Sequence, residues 1–147
     1  MKKNLFTAII ILFVPLFLNA QANKIEGSWI TEKGTSAVDV SKSSDGKYFG
    51  KISWLEEPNE FGKPKVDTEN EDPELAKRPI MGLHLLEGFE YDSKKERWIN
   101  GSIYDPDNGK TYDCFAWFED GNFDVLYIKG YVAGIKALGR KTIWNRR

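Results

Sequence analysis

The stretch Ile103-Tyr-Asp-Pro-Asp-Asn-Gly-Lys-Thr-Tyr112 constrains this chain more than any other. It reads as the end of one strand, a tight turn and the start of the next. Pro106 presets a turn φ, Asp105 and Asp107 can bond their own backbone, and Asn108-Gly109 supplies the positive φ that a hairpin needs. A hairpin centred here sets Tyr104 and Tyr112 facing each other on its two arms.

The same grammar recurs on both sides. Val38 and Val40 alternate with polar neighbours across 37–41, and Ser44-Asp45-Gly46 is a turn. In the following strand Tyr48, Gly50, Ile52 and Trp54 share one face. Further strands are expected over 80–86, with Gly82 marking a bulge or bend, and over 98–104, 111–118, 123–129 and 138–146. In the last of these Arg140, Thr142 and Trp144 lie on one face. With the run after Gly27 this makes about eight strands, an all-β domain of antiparallel sandwich or barrel type. Periodicity alone does not choose between the two.

The N-terminus is a separate signal. Lys2 and Lys3 precede an uncharged apolar run from Leu5 to Leu18, then Asn19-Ala20. A basic start, a short apolar middle and a small residue describe an export signal over 1–20, leaving residues 21–147 as one domain in the periplasm or outside the cell. The run is shorter than the roughly 20 residues of a bilayer span, so no membrane span is expected after cleavage. The whole chain carries a formal charge of −1, which argues against a nucleic-acid partner. One cysteine, Cys114, cannot form an internal disulfide and reads as a buried apolar group.

Residues 56–78 interrupt the rhythm with Pro58, Gly62, Pro64 and an acidic run: Asp67, Glu69, Glu71, Asp72 and Glu74. Asp72-Pro73 can start one helical turn that Pro79 ends. The acidic run lacks the glycine and distant glutamate of a calcium loop, so no metal is expected.

Several blocks together resemble a bacterial exported family, domain of unknown function 2147. They are Gly27-Ser28-Trp29, Phe49-Gly50-Lys51-Ile52, Asp72-Pro73, Arg78-Pro79-Ile80-Met81-Gly82, Gly101 through Tyr112, and Gly139-Arg140 with Trp144. The resemblance implies a lipocalin-like, up-and-down barrel with an internal cavity, and it leaves the biochemical role open. It also implies that Trp29 packs under a basic residue from the chain end, Arg140, as a cation–π closure of the barrel.

Chemistry for catalysis is sparse. Gly109-Lys110-Thr111 imitates the end of a phosphate loop, but the first glycine of that motif is replaced by Tyr104 and a strand follows instead of a helix. His84 is the only histidine; no motif supports pairing it with Cys114 as base and nucleophile, so both read as structural, and a zinc site would lack its second histidine. The expectation is a non-enzyme without cofactor that binds a small hydrophobic or amphipathic ligand. Trp54, Trp98, Tyr104, Tyr112 and Trp144 are the candidates for the cavity wall, with Arg78 as the arm for an anionic head group. Each aromatic has a plain core role as its alternative, and Arg78 has a salt bridge to Asp67, Asp72 or Asp105. A module binding another envelope protein, and a cavity hydrolase or isomerase, are the competing readings.

Overall fold

A computed structural model describes residues 20–147; the expected leader, except Ala20, lies outside the described residues. Ten strands follow in order: β1 (Gly27–Ile30), β2 (Ser36–Lys42), β3 (Tyr48–Leu55), β4 (Asn59–Glu60), β5 (Lys63–Pro64), β6 (His84–Asp92), β7 (Arg97–Asp105), β8 (Lys110–Glu119), β9 (Asn122–Tyr131) and β10 (Arg140–Arg146). Eight of them close into one antiparallel barrel in the order β1-β10-β9-β8-β7-β6-β3-β2, and β4-β5 form a separate small ribbon. Closure leaves none of the eight with an open edge, which decides the architecture for a barrel over a sandwich.

Local chemistry moves several expected boundaries. The strand expected over 80–86 begins only at His84 and runs to Asp92, because Gly82 takes a φ of 84° and turns the chain before the ladder starts. The turn after Asp105 holds four residues, with Gly109 N–H bonded to Asp105 O at 2.8 Å. This pairs Tyr112 with Ile103 and Tyr104 with Thr111, so the two tyrosines do not face each other. A bulge between Ala37 and Val38 shifts the alternation of β3. Tyr48, Gly50 and Ile52 stay inward and buried, Leu55 joins the core, and Trp54 leaves it. The helical turn expected after Asp72 is a 3-10 turn at Leu75–Lys77, with the Asp72 carboxylate accepting from Glu74 N–H at 2.9 Å.

The two ends of the barrel differ. At the floor, where β1 begins and β10 ends, a 3-10 turn at Asn23–Ile25 lies across the opening. The indole N–H of Trp29 donates to Ile25 O at 2.8 Å and that of Trp98 to Ala22 O at 3.0 Å, while Tyr48 OH donates to Asn23 Oδ1 at 2.7 Å. Phe118 packs its ring against both indoles, 5.9 Å from Trp29 and 5.3 Å from Trp98 between centroids. Further in, a Cβ added to Gly101 would lie 2.5 Å from the Phe89 ring, and one on Gly50 would lie 2.8 Å from Val38. The lower barrel is therefore filled by rings whose space depends on missing side chains opposite.

The cation on Trp29 is Arg146, not Arg140. The Arg146 guanidinium stands 4.2 Å above the indole and donates to Lys24 O, Glu26 O and Phe123 O. Register explains the correction: Trp29 pairs with Arg146, whereas Arg140 pairs with Gly130 at the other end of β10. Those positions are separated by about 20 Å of extended strand.

Truncation at the two arginines should therefore differ sharply. Arg146→Ala strips three part-buried carbonyls of their donor and uncovers the buried Trp29 ring, and should cost about 2–3 kcal/mol in denaturant unfolding; Arg140→Ala should cost under about 0.5 kcal/mol. Alkali gives a second test. Burial, reinforced by the nearby Glu26 carboxylate, pushes the Tyr48 phenol from 10.0 up to about 12. A folded value above the unfolded one means this contribution is whole below pH ~10 and is lost as pH rises towards ~12. The melting temperature should fall across that window, and less steeply in Tyr48→Phe.

Candidate functional site

Two constructions at the upper end organise what the protein can bind. The first is a brace. Along β7 the inward positions are Gly101 and Ile103, paired with Cys114 and Tyr112, so Tyr104 faces outward. It is nevertheless 8% exposed, because the connection between β3 and β6 lies against it. Asp67 of that connection is fully buried. Its carboxylate accepts from Tyr104 OH at 2.7 and 2.8 Å, from Arg78 Nε at 2.9 Å and from Asn70 Nδ2 at 3.1 Å. Arg78 Nη2 adds a contact at 2.9 Å, and its guanidinium stacks 5.0 Å from the Tyr104 ring centroid. Burial first, and then the bond to Asp67, raise the Tyr104 phenol, so it stays a donor. The carboxylate is thus paired, bonded and screened from water, as a buried charge must be.

The brace reaches the central turn as well. A Cβ on Gly109 would sit 1.9 Å from Glu69 O, and Gly109 has a φ of 71°. No other residue type meets both conditions. Arg78, expected as a ligand arm or as a salt bridge, forms the bridge to Asp67. Beside it lies an open hollow of about 440 Å³ on the outer wall, lined by Arg78, Met81, Leu83, His84 and Glu87. His84 stacks on Phe49 at 5.4 Å and sets Nδ1 3.2 Å from Glu87.

The second construction is the mouth of the barrel. The inward positions Ile103, Tyr112 and Thr142 remain only half-buried, whereas Trp144, deeper on the same face as Thr142, is 2% exposed. An ion pair joins Lys33, in the turn between β1 and β2, to Asp107, in the turn between β7 and β8. These turns stand on opposite sides of the strand ring, so the pair spans the opening. Arg140, exposed, opens β10 at the rim.

The aromatics expected to line a cavity are dispersed. Trp98 belongs to the floor, Trp144 to the core, Tyr112 to the mouth and Tyr104 to the outer brace. Trp54 is half-buried under the guanidinium of Arg147, 5.3 Å from its centroid. Sequence reading missed Arg146 and the Lys33–Asp107 pair, since each depends on register around the closed ring. Asp67 was legible as one of three candidate partners of Arg78, with Asp72 and Asp105, and the structure selects it. Among the described residues no three His, Cys, Asp or Glu side chains are grouped to hold a metal ion. Cys114 is fully buried and its thiol pushed up by that burial, so it is a poor nucleophile, and His84 lies on the outer wall.

The family model described as "Uncharacterized protein conserved in bacteria (DUF2147)" matches residues 27–146. The chain belongs to the DUF2147 family. A solved structure described as protein HP1028 from Helicobacter pylori, which belongs to the lipocalin family, superposes with a TM-score of 0.67 at 21% identity. The match covers 83% of this chain and 82% of that one. At that identity the likeness concerns the fold, and it makes this DUF2147 chain a lipocalin-like barrel. No curated protein matches it.

The brace of this DUF2147 barrel generates a mutational ranking. Asp67→Ala leaves Arg78 half-buried without its partner and should cost about 3–5 kcal/mol. Tyr104→Phe removes one donor from the carboxylate and should cost about 1–3 kcal/mol. Limited proteolysis should show faster cleavage within residues 56–83 in both variants, and more so in the first.

Proposed function

We propose that this DUF2147 protein is a non-catalytic carrier, exported to the periplasm or beyond, that takes a small amphipathic molecule through the upper mouth of its barrel. One observation carries the reading: inward-facing side chains are open to solvent at this end, while the opposite end is stoppered by a helical turn and a cluster of rings. Ile103, Tyr112 and Thr142 offer a mostly apolar wall with one hydroxyl on each of the latter two, the mix that ligand sites favour. Lys33 and Arg140 put positive charge at the rim, suited to a carboxylate, sulfonate or phosphate head. Asp107 pairs with Lys33 across the opening, and an anionic head would compete with it for the lysine.

The competing reading, a module that captures another envelope protein, draws on the β4–β5 ribbon, whose turn carries Phe61 at 97% exposure. The mouth is preferred because it joins an apolar wall to charged groups at one opening.

The test uses 8-anilinonaphthalene-1-sulfonate, an apolar ring system with an anionic head, followed by its fluorescence. Saturable binding is expected, weakened about tenfold by Arg140→Glu, a change near 1.4 kcal/mol. Thr142→Trp, which fills the mouth, should abolish it, and Phe61→Ser should leave it unchanged. Equal binding by Thr142→Trp and the unaltered protein would place the dye elsewhere and reject the mouth.

A further inference from the structure

The outer wall of a barrel in water is ordinarily polar, and on β8 and β9 it is not. Phe115 and Trp117 on β8 stack with centroids 5.3 Å apart, Trp117 stacks on Tyr127 of β9 at 5.5 Å, and Phe115 meets Tyr131 at 6.2 Å. Cations rest on these rings: Arg97 on Phe115 at 5.2 Å, Lys141 on Tyr127 at 5.2 Å, and Lys136 at 5.7 Å from both Phe115 and Tyr131. Beyond the rings, the connection from β9 to β10 exposes Val132, Ile135 and Leu138 at 54%, 49% and 77%. Lys136, seated on the rings, belongs to that same connection, so the tips and the aromatic ladder form one continuous face.

Charge separates this face from the rest of the molecule. Arg97, Lys129, Lys136 and Lys141 stand beside Asp113 and Glu119, and Glu119 is engaged by the Trp117 indole N–H at 3.1 Å. The chain as a whole is negative. Aliphatic tips, a belt of tryptophan and tyrosine, and surrounding lysine and arginine are the three components that bind a protein to the surface of an anionic bilayer. The tips enter the acyl boundary, the rings sit at headgroup depth, and the cations meet the phosphates. A single-stranded nucleic acid would need free ring faces to stack on, and here cations cover them.

We infer that this face docks the barrel peripherally on an anionic lipid surface, with Ile135 and Leu138 as the inserting tips and Lys136 and Lys141 as headgroup contacts. The orientation turns the barrel wall to the membrane and keeps the mouth at its edge, where an amphipathic molecule leaving the bilayer can reach it. This inference does not require the ligand reading to hold.

The experiment is co-sedimentation with vesicles of phosphatidylcholine alone, or of phosphatidylcholine and phosphatidylglycerol in equal parts. It uses the chain from Gln21, whose closed barrel and floor lie wholly within residues 20–147, so that the apolar run Leu5–Leu18 cannot supply affinity. Binding to the anionic vesicles, little to the neutral ones, and a fall with added salt are expected. The double variant Ile135→Asp/Leu138→Asp and the double variant Lys136→Glu/Lys141→Glu should each lose about tenfold or more in partitioning. All four positions are exposed, and unchanged melting temperatures would confirm that folding is intact. Absence of binding to anionic vesicles, equal binding by either double variant, or a tip-dependent dimer in sedimentation velocity without lipid would each overturn the inference. Dye binding at the mouth is read separately, so the two conclusions can fail independently.

Discussion

The barrel depends on its narrowest seam. β1 and β10 join through only two Cα pairs, Trp29 with Arg146 and Ile30 with Asn145, whereas the other walls carry longer ladders. A seam this short would open easily if backbone bonds alone held it, and opening would expose two strand edges and the floor at once. Arg146 compensates with its side chain. It bonds carbonyls on the segment before β1 and at the start of β9, and covers the Trp29 ring. A lysine could not reproduce this, since the arrangement uses the fixed fork of a guanidinium for several acceptors and its flat face for the indole.

Closing the floor with rings and a helical turn sets the polarity of the whole molecule. Glycine at positions 50 and 101 lets the lower strands accept Val38 and Phe89 within the barrel, and that filling removes the lower interior as a place for cargo. What remains accessible is the upper end, where turns rather than a helical stopper meet. The two ends of the barrel thus differ in kind, and the contacts that close the floor are also ones that make it stable.

Much of this was legible from alternation and turn chemistry. The all-β class, the eight barrel strands (that over 80–86 displaced to His84–Asp92) and the position of the central turn follow from residues a few positions apart. The resemblance to a family supplied closure, which periodicity does not encode. What was not legible depended on counting around the ring. The register across the central turn sets Tyr104 against Thr111, not Tyr112, and places it on the outside; one bulge at Ala37/Val38 expelled Trp54 and admitted Leu55. A shift of one residue inverts every later side chain on a strand, so small local uncertainties became errors of face. The partner of Trp29 failed for a related reason: Arg140 and Arg146 share a strand and a parity, and only the register with β1 separates them.

The pairing of buried Asp67 with half-buried Arg78 explains how a connection this long is fixed to the barrel. Burying two charges is costly, and apolar residues of similar size could stabilise the same packing as well or better. A hydrophobic contact, however, would tolerate many positions along the wall, whereas Asp67 requires Tyr104, Arg78 and Asn70 together. Gly109 then fixes the depth at which the segment docks, because its backbone meets Glu69 with no room for a side chain. Geometry of this kind holds the segment against Tyr104 on the outer side of β7 and against the turn that follows it. Lys33 and Asp107, which span the opening, are an exposed pair that water and salt can loosen, so this contact is among the easiest in the molecule to break.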